Sequence, residues 1–132
     1  IDALMIEHAE HGGEENGRLK APYDTLQKRG MRRADIKNSI HEAKALGILD
    51  VELGLRSFGA RRLPSLFRLT WLGTPDGLMP TNEWKGIKTD VEACERVDRA
   101  MAALLRERAM KAETRLSRSG NRSEISIKSR AA

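Results

Sequence analysis

At 132 residues, with 39% hydrophobic and 33% charged side chains, the chain has material for one modest core plus an appendage. Net charge is +5, and no apolar run approaches the roughly 20 residues needed to cross a bilayer. No membrane partner is expected. A single cysteine, Cys94, cannot form an internal disulfide and points to a reducing, cytoplasmic setting.

The charge is unevenly spread. Residues 1–16 hold five acids and no Lys or Arg, residues 17–72 hold twelve basic against five acidic side chains, and residues 117–132 have a net charge of +3. A basic segment of this kind is the electrostatic footprint of a nucleic-acid binder, and equally the composition of a solubilising face.

The chain opens at Ile1 inside a helical pattern, so residues upstream of it are expected. Ile1, Leu4, Met5 and Ala9 fall at helical spacing up to Gly12-Gly13. A polar loop, "EENG", leads to "GRLKA", a short strand with Leu19 inward. Pro22 suits the first turn of a helix that ends at Gly30, a residue able to enter the left-handed region without penalty. Ile36, Ile40, Ala43 and Leu46 then form one apolar stripe over a helix from Ala34 to Leu46, closed by Gly47. No Ser, Thr or Asp caps its start, where Arg32 and Arg33 stand.

After Gly47 the period changes from about 3.6 to 2. Leu49, Val51 and Leu53 alternate with polar residues, and so do Phe67, Leu69 and Trp71 beyond the loop "LRSFGARRLPS". Two such strands make a β-hairpin with a projecting basic loop. "GTPDGLMPTNEWKG" reads as an irregular connector that tucks Trp84 against the core. Thr89 and Glu92 have capping-box spacing and open a long helix from about Asp90 to Leu116. The remaining "SRSGNRSEISIKSRAA" is rich in Ser and Arg, poor in apolar residues, and expected to be disordered.

In order, these are helix, strand, helix, turn, helix, strand, basic loop, strand. That layout, with "LQKRGMRRADIKNSIHEAKALGILDVE" followed by "FRLTW", resembles the winged helix-turn-helix DNA-binding proteins over about Ile1 to Leu72. More narrowly, it is similar to those carried by α-proteobacterial plasmids, prophages and integrative elements, including the winged domains of plasmid replication initiators. The expected architecture is therefore α+β and mostly helical. It comprises a winged domain at 1–72, a connector at 73–88, a long helix at 89–116 and a disordered basic tail at 117–132.

The resemblance makes the helix from Ala34 the one that enters the major groove. Arg33, Lys37, Asn38 and His41 would read base edges, since Arg and Lys donate to guanine O6 and N7 and Asn pairs both positions of adenine. Arg56, Arg61 and Arg62 in the wing would reach backbone or minor groove. Arg18, Lys20, Lys28, Arg29, Arg32 and Lys44 would meet phosphates, which position a protein without carrying sequence information.

On the C-terminal helix, Val91, Cys94, Val97, Met101, Leu104 and Leu105 form a stripe that could fold back on the core or pair with its twin, and a homodimer is the use expected of it. Arg108 interrupts it after about two heptads, too soon for a long coiled coil.

No catalytic residues, metal ligands or cofactors are expected. His8 and His11 share a helical face but lack a third ligand. Cys94 sits on an apolar stripe, Glu14-Glu15 has no partner base, and no phosphate-binding glycine loop occurs. The leading expectation is a sequence-specific double-stranded DNA-binding protein, a transcriptional regulator of a mobile element. The alternatives are the DNA-binding portion of a replication initiator and a winged module that holds a protein partner, to which the acidic N-terminus would contribute. RNA is disfavoured by an aromatic content of 4%.

Overall fold

The computed structural model describes residues 1–52, 54 and 63–130, with side chains up to Ser117. Residues 53 and 55–62, between the two hairpin strands, fall outside these, and with them Leu53 and the wing residues Arg56, Arg61 and Arg62. The fold is α+β. Helix α1 (Asp2–Glu10) is followed by strand β1 (Leu19–Lys20), α2 (Tyr23–Lys28), α3 (Arg33–Ala45), β2 (Leu49–Glu52), β3 (Leu66–Leu69) and the long α4 (Asp90–Arg130).

The three strands form one antiparallel sheet in the order β1-β3-β2. Leu19 faces Phe67 across one seam, and Leu49 faces Leu69 across the other. The inward residues of each strand meet Leu4 of α1, Leu26 of α2 and Ile36 of α3 in one apolar cluster, with Ile40, Ala43 and Val51 packed around it. The α3 stripe expected from periodicity is thus the face that sits on the sheet. Leu69 and Ile36 are fully buried, and burying such side chains stabilises a fold by about 1.5–3 kcal/mol each.

The turns follow from backbone chemistry. Gly30 ends α2 with φ 93° and Gly47 ends α3 with φ 67°, both in the region that other residues avoid. At Gly47 the absence of a side chain serves a second purpose. A Cβ there would lie 2.8–2.9 Å from Glu83 and the Trp84 amide, which belong to a 3-10 turn at Glu83–Gly86. Thr70 fixes the same corner from below, its buried hydroxyl donating to the Gly47 carbonyl at 2.7 Å. Pro22 occupies the cap position of α2 and not its first helical residue. The connector does bring Trp84 to the body, but its ring stays 41% exposed at the rim of a cleft lined by Leu46, Ile48, Trp71 and Ile87.

The polar loop before β1 contains a structural residue that periodicity could not reveal. Asn16 is buried and donates from Nδ2 to the carbonyls of Leu69, Leu72 and Gly73 at 2.9–3.1 Å. Its Oδ1 accepts from the Leu69 amide at 2.7 Å. One side chain therefore satisfies the backbone at the end of β3 on the side where β1, only two residues long, no longer pairs with it.

Helix α4 begins as its spacing implies. The Glu92 amide donates to the Thr89 hydroxyl at 3.2 Å, while the Glu92 carboxylate accepts from the Lys88 amide at 3.1 Å. That amide and Arg96 hold the Glu92 carboxyl below the usual carboxylate range. The helix then departs from expectation at its other end. It passes Leu116 without a break and continues to Arg130, so the segment expected as a disordered tail is helical. A helix already under way gains one hydrogen bond for each further residue fixed, and Arg, Lys and Glu are good helix formers.

Candidate nucleic-acid interface

The short turn between α2 and α3 brings Lys28, Arg29, Arg32 and Arg33 to one edge of the molecule. Met31 closes the turn from within, packing on the core while its amide donates to the Leu26 carbonyl at 3.1 Å. Lys28 is exposed. Arg29 pairs with Glu10 of α1 at 3.6 Å, and Arg32 with Asp35 at 2.7 Å. Arg33 donates to Asp24 at 2.8 Å and Gln27 at 2.7 Å, with its guanidinium 5.8 Å from the Tyr23 ring centre. It leans back along α2 and does not point away from α3.

Elsewhere the expected phosphate contacts are also partly spoken for. Arg18 meets Asp76 at 2.7 Å, Lys44 lies 3.9 Å from Asp50, and Lys20 is exposed on β1. Exposed pairs of this kind are worth about 0–1 kcal/mol and are screened by salt. Phosphate oxygens can therefore compete for every one of these cations. The acids of α1 are drawn into such local pairing too: Glu10 meets Arg29, and the Glu7 carboxylate lies 3.8 Å from His11 Nδ1.

Sequence reasoning missed one cation. Arg68 on β3 is only 16% exposed and bridges Asp50 at 3.3 Å and Glu83 at 3.8 Å. It ties the hairpin to the 3-10 turn. Its place opposite Asp50 in the strand register is the signal that could have found it.

The outer side of α3 is where structure and expectation part. Asn38 lies about 200° around the helix from Ile36, facing away from the core. That side is not open: α4 packs along it. Ile87, just before α4, lines a cleft with Leu46 and Ile48 at the end of α3, while Arg108 reaches Asn38 nearer its start. The two helices thus run in opposite directions. Arg108 Nη2 donates to Asn38 Oδ1 at 2.8 Å, and Leu104 is buried to 3% exposure. His41 is half-buried in this seam. Burial there, and then the charge of Lys37, push its imidazole below the ordinary 6.5, against the opposing pull of Glu107. Lys111, paired with Glu107 along α4, holds that carboxyl below its usual range.

Of the four expected base-reading residues, Asn38 and His41 are therefore engaged by α4. Lys37 is half-buried, and Arg33 is tied to α2. Lys37, Arg33 and His41 also line a groove of about 560 Å³ on the flank of α3, bounded across from them by Val51, Phe67 and the base of the hairpin loop at Leu63–Ser65.

The expected stripe on α4 is split in the same way. Val97, Met101 and Leu104 turn toward the body, whereas Val91, at 68% exposure, Leu105, at 62%, and Cys94 face outward. Of the two uses open to the stripe, folding back is the one this chain adopts with three of its six residues. A helix turns 100° per residue, so six positions spread over fifteen residues do not share one narrow face once a partner is fixed.

Among the described residues no helix is long and apolar enough to cross a membrane. No protein-family model, curated protein or solved structure matches the chain.

Proposed function

We propose that this chain is a sequence-specific double-stranded DNA-binding protein with a winged helix-turn-helix domain, acting as a transcriptional regulator of a mobile element. One observation carries the reading. The helix pair α2–α3 precedes a hairpin whose second strand, β3, lies between β1 and β2. In winged domains this arrangement puts the second helix of the pair and the hairpin loop on one side. The cations of the α2–α3 turn support it, since Lys28, Arg29, Arg32 and Arg33 form a basic edge beside the start of α3. In the proposed complex that edge holds the backbone, Lys37, Asn38 and His41 meet the bases, and the Arg-rich loop reaches an adjacent groove.

Selection from a pool of random-sequence duplexes tests this. A common sequence should emerge, and its binding should fall steeply with salt, with a log–log slope of about −5 if six phosphates are neutralised. Lys37→Ala should relax preference at one position of the selected site, by about 1–3 kcal/mol of discrimination. Absence of salt-dependent association with any duplex rejects the proposal.

A second reading is favoured by the seat of α4 on α3. A chain whose α3 surface is a permanent protein–protein seam would be a winged interaction module, and it would fail the same selection.

A further inference from the structure

We propose that α4 is a displaceable cover, and that the chain reads duplex DNA only after α4 has left the outer face of α3. This rests on the DNA-binding reading above and adds a closed state to it.

Polar groups of both helices meet along the seam, Asn38 with Arg108 and His41 beside Glu107, while Val97, Met101 and Leu104 of α4 turn toward the body. A seam serving stability alone would set apolar side chains on both sides, because burying a polar group gains nothing unless its hydrogen bonds are replaced. The α3 side has instead the composition of a surface that meets water or a polar ligand. The competition is also direct at one atom. An asparagine that reads adenine uses its oxygen to accept from the base amino group, and the oxygen of Asn38 is occupied by Arg108.

Leaving would not undo the domain. Leu104 is buried but lies outside the main apolar cluster, which is complete without any residue of α4. The connector stays fixed, with the Asn82 amide donating to the Thr70 carbonyl at 2.9 Å and the 3-10 turn seated on Gly47. Movement is therefore confined to α4 itself, from about its cap at Thr89.

The test uses the full chain with Leu104→Glu and Arg108→Ala, singly and together. Two measurements are made: the His41 ring titration by NMR without DNA, and fluorescence anisotropy with the random-sequence duplex pool and any duplex selected from it. Both substitutions remove positive or add negative charge, so simple electrostatics predicts weaker DNA binding. For DNA the cover predicts the reverse: the affinity rises about tenfold, as expected if about 90% of the wild-type chain is closed. His41 moves back toward its ordinary value as its burial is lost and the charge beside it is altered. If His41 shifts and duplex binding is equal or weaker, the cover is overturned while DNA binding stands. If His41 does not shift, Leu104 and Arg108 do not hold the seam, and the cover is likewise overturned. If neither wild type nor variants bind any duplex, the DNA-binding reading fails and takes this inference with it. Arg108→Ala, a change at an exposed position, carries the test should Leu104→Glu fail to fold.

Discussion

Arg108 Nη2 and Asn38 Oδ1 lie 2.8 Å apart, although 70 residues separate them along the chain. That bond joins the far end of the packed part of α4 to the face of α3 that periodicity marks as outward. It is an exposed pair, so its own contribution to stability is small. In a double-mutant cycle, Asn38→Ala and Arg108→Ala should couple by less than about 1 kcal/mol. Leu104→Ala should cost more, up to about 1.3 kcal/mol, because the side chain is almost fully buried and the loss is limited by the closing free energy of a seam that is about 90% closed. Urea denaturation of the four variants and wild type measures both quantities.

Asn16 is expected to be the most sensitive polar residue of the fold. Asn16→Ala takes the partner from the Leu69 amide and from the Leu72 and Gly73 carbonyls, while the Leu69 carbonyl keeps only the Leu72 amide at 3.3 Å. Each unsatisfied buried group costs about 1–3 kcal/mol. The midpoint of thermal unfolding should drop by many degrees. Asn16→Asp should be at least as damaging near neutral pH, since a carboxylate cannot donate to those carbonyls. A melt within two degrees of wild type for either variant would refute this account of the loop.

Gly47→Ala meets two penalties at once. The backbone is held at φ 67°, and the new Cβ would overlap Glu83 and the Trp84 amide. A loss of about 2 kcal/mol or more is expected from backbone strain and overpacking together. Gly30→Ala provides the control. It has a positive φ but nothing within 4 Å of the added atom, so only the strain of about 1–2 kcal/mol should appear.

Acid should loosen the α3–α4 seam. His41 has a folded-state value below its ordinary 6.5, caused first by burial and then by Lys37, with Lys44 and Arg108 adding to the effect and Glu107 opposing it. The unfolded chain therefore takes up a proton more readily than the folded one. The stability linked to neutral His41 is present above pH 6.5 and is lost as pH falls through the lower folded value. His11 works in the other direction. The Glu7 carbonyl, aided by nearby carboxylates, raises its value, so its contribution is present below 6.5 and is lost as pH rises past the folded value. Amide exchange resolved by residue should show protection of α3 and the first half of α4 declining below pH 6.5, with His41→Phe abolishing the pH dependence of that seam.

Backbone contacts can be separated from base contacts by salt. Replacing Lys28, Arg29 and Arg32 together by Ala should flatten the log–log salt slope of duplex binding by about 2.7, at about 0.9 per phosphate contact. The sequence selected should stay the same. A changed consensus with an unchanged slope would instead put these residues on the bases.

Much of the fold was legible in local pattern. The Ile36–Ile40–Ala43 stripe marked the inward face of α3, Gly30 and Gly47 marked its flanking turns, and Thr89 and Glu92 marked the start of α4. Each depends on residues within a few positions of one another, where helical period, positive φ and capping act through the chain itself. Asn16 was not legible. Its partners lie 53 to 57 residues away, and an Asn in a polar loop has the same local signature whether it is solvated or buried.

The candidate site divides along the same line. By itself the sequence determined which side chains α3 turns away from the core, because a 3.6-residue period with one apolar stripe leaves only one outward face. It also determined that α4 would carry an apolar stripe. Only the tertiary structure decided that Val97, Met101 and Leu104 of that stripe turn toward the body, leaving Val91, Cys94 and Leu105 outside. It alone set Arg108 on Asn38 and Glu107 beside His41. A helix's period fixes its faces but not its neighbour. The neighbour is chosen by the path of the connector, here anchored at Gly47 and Thr70, and by which burial it permits.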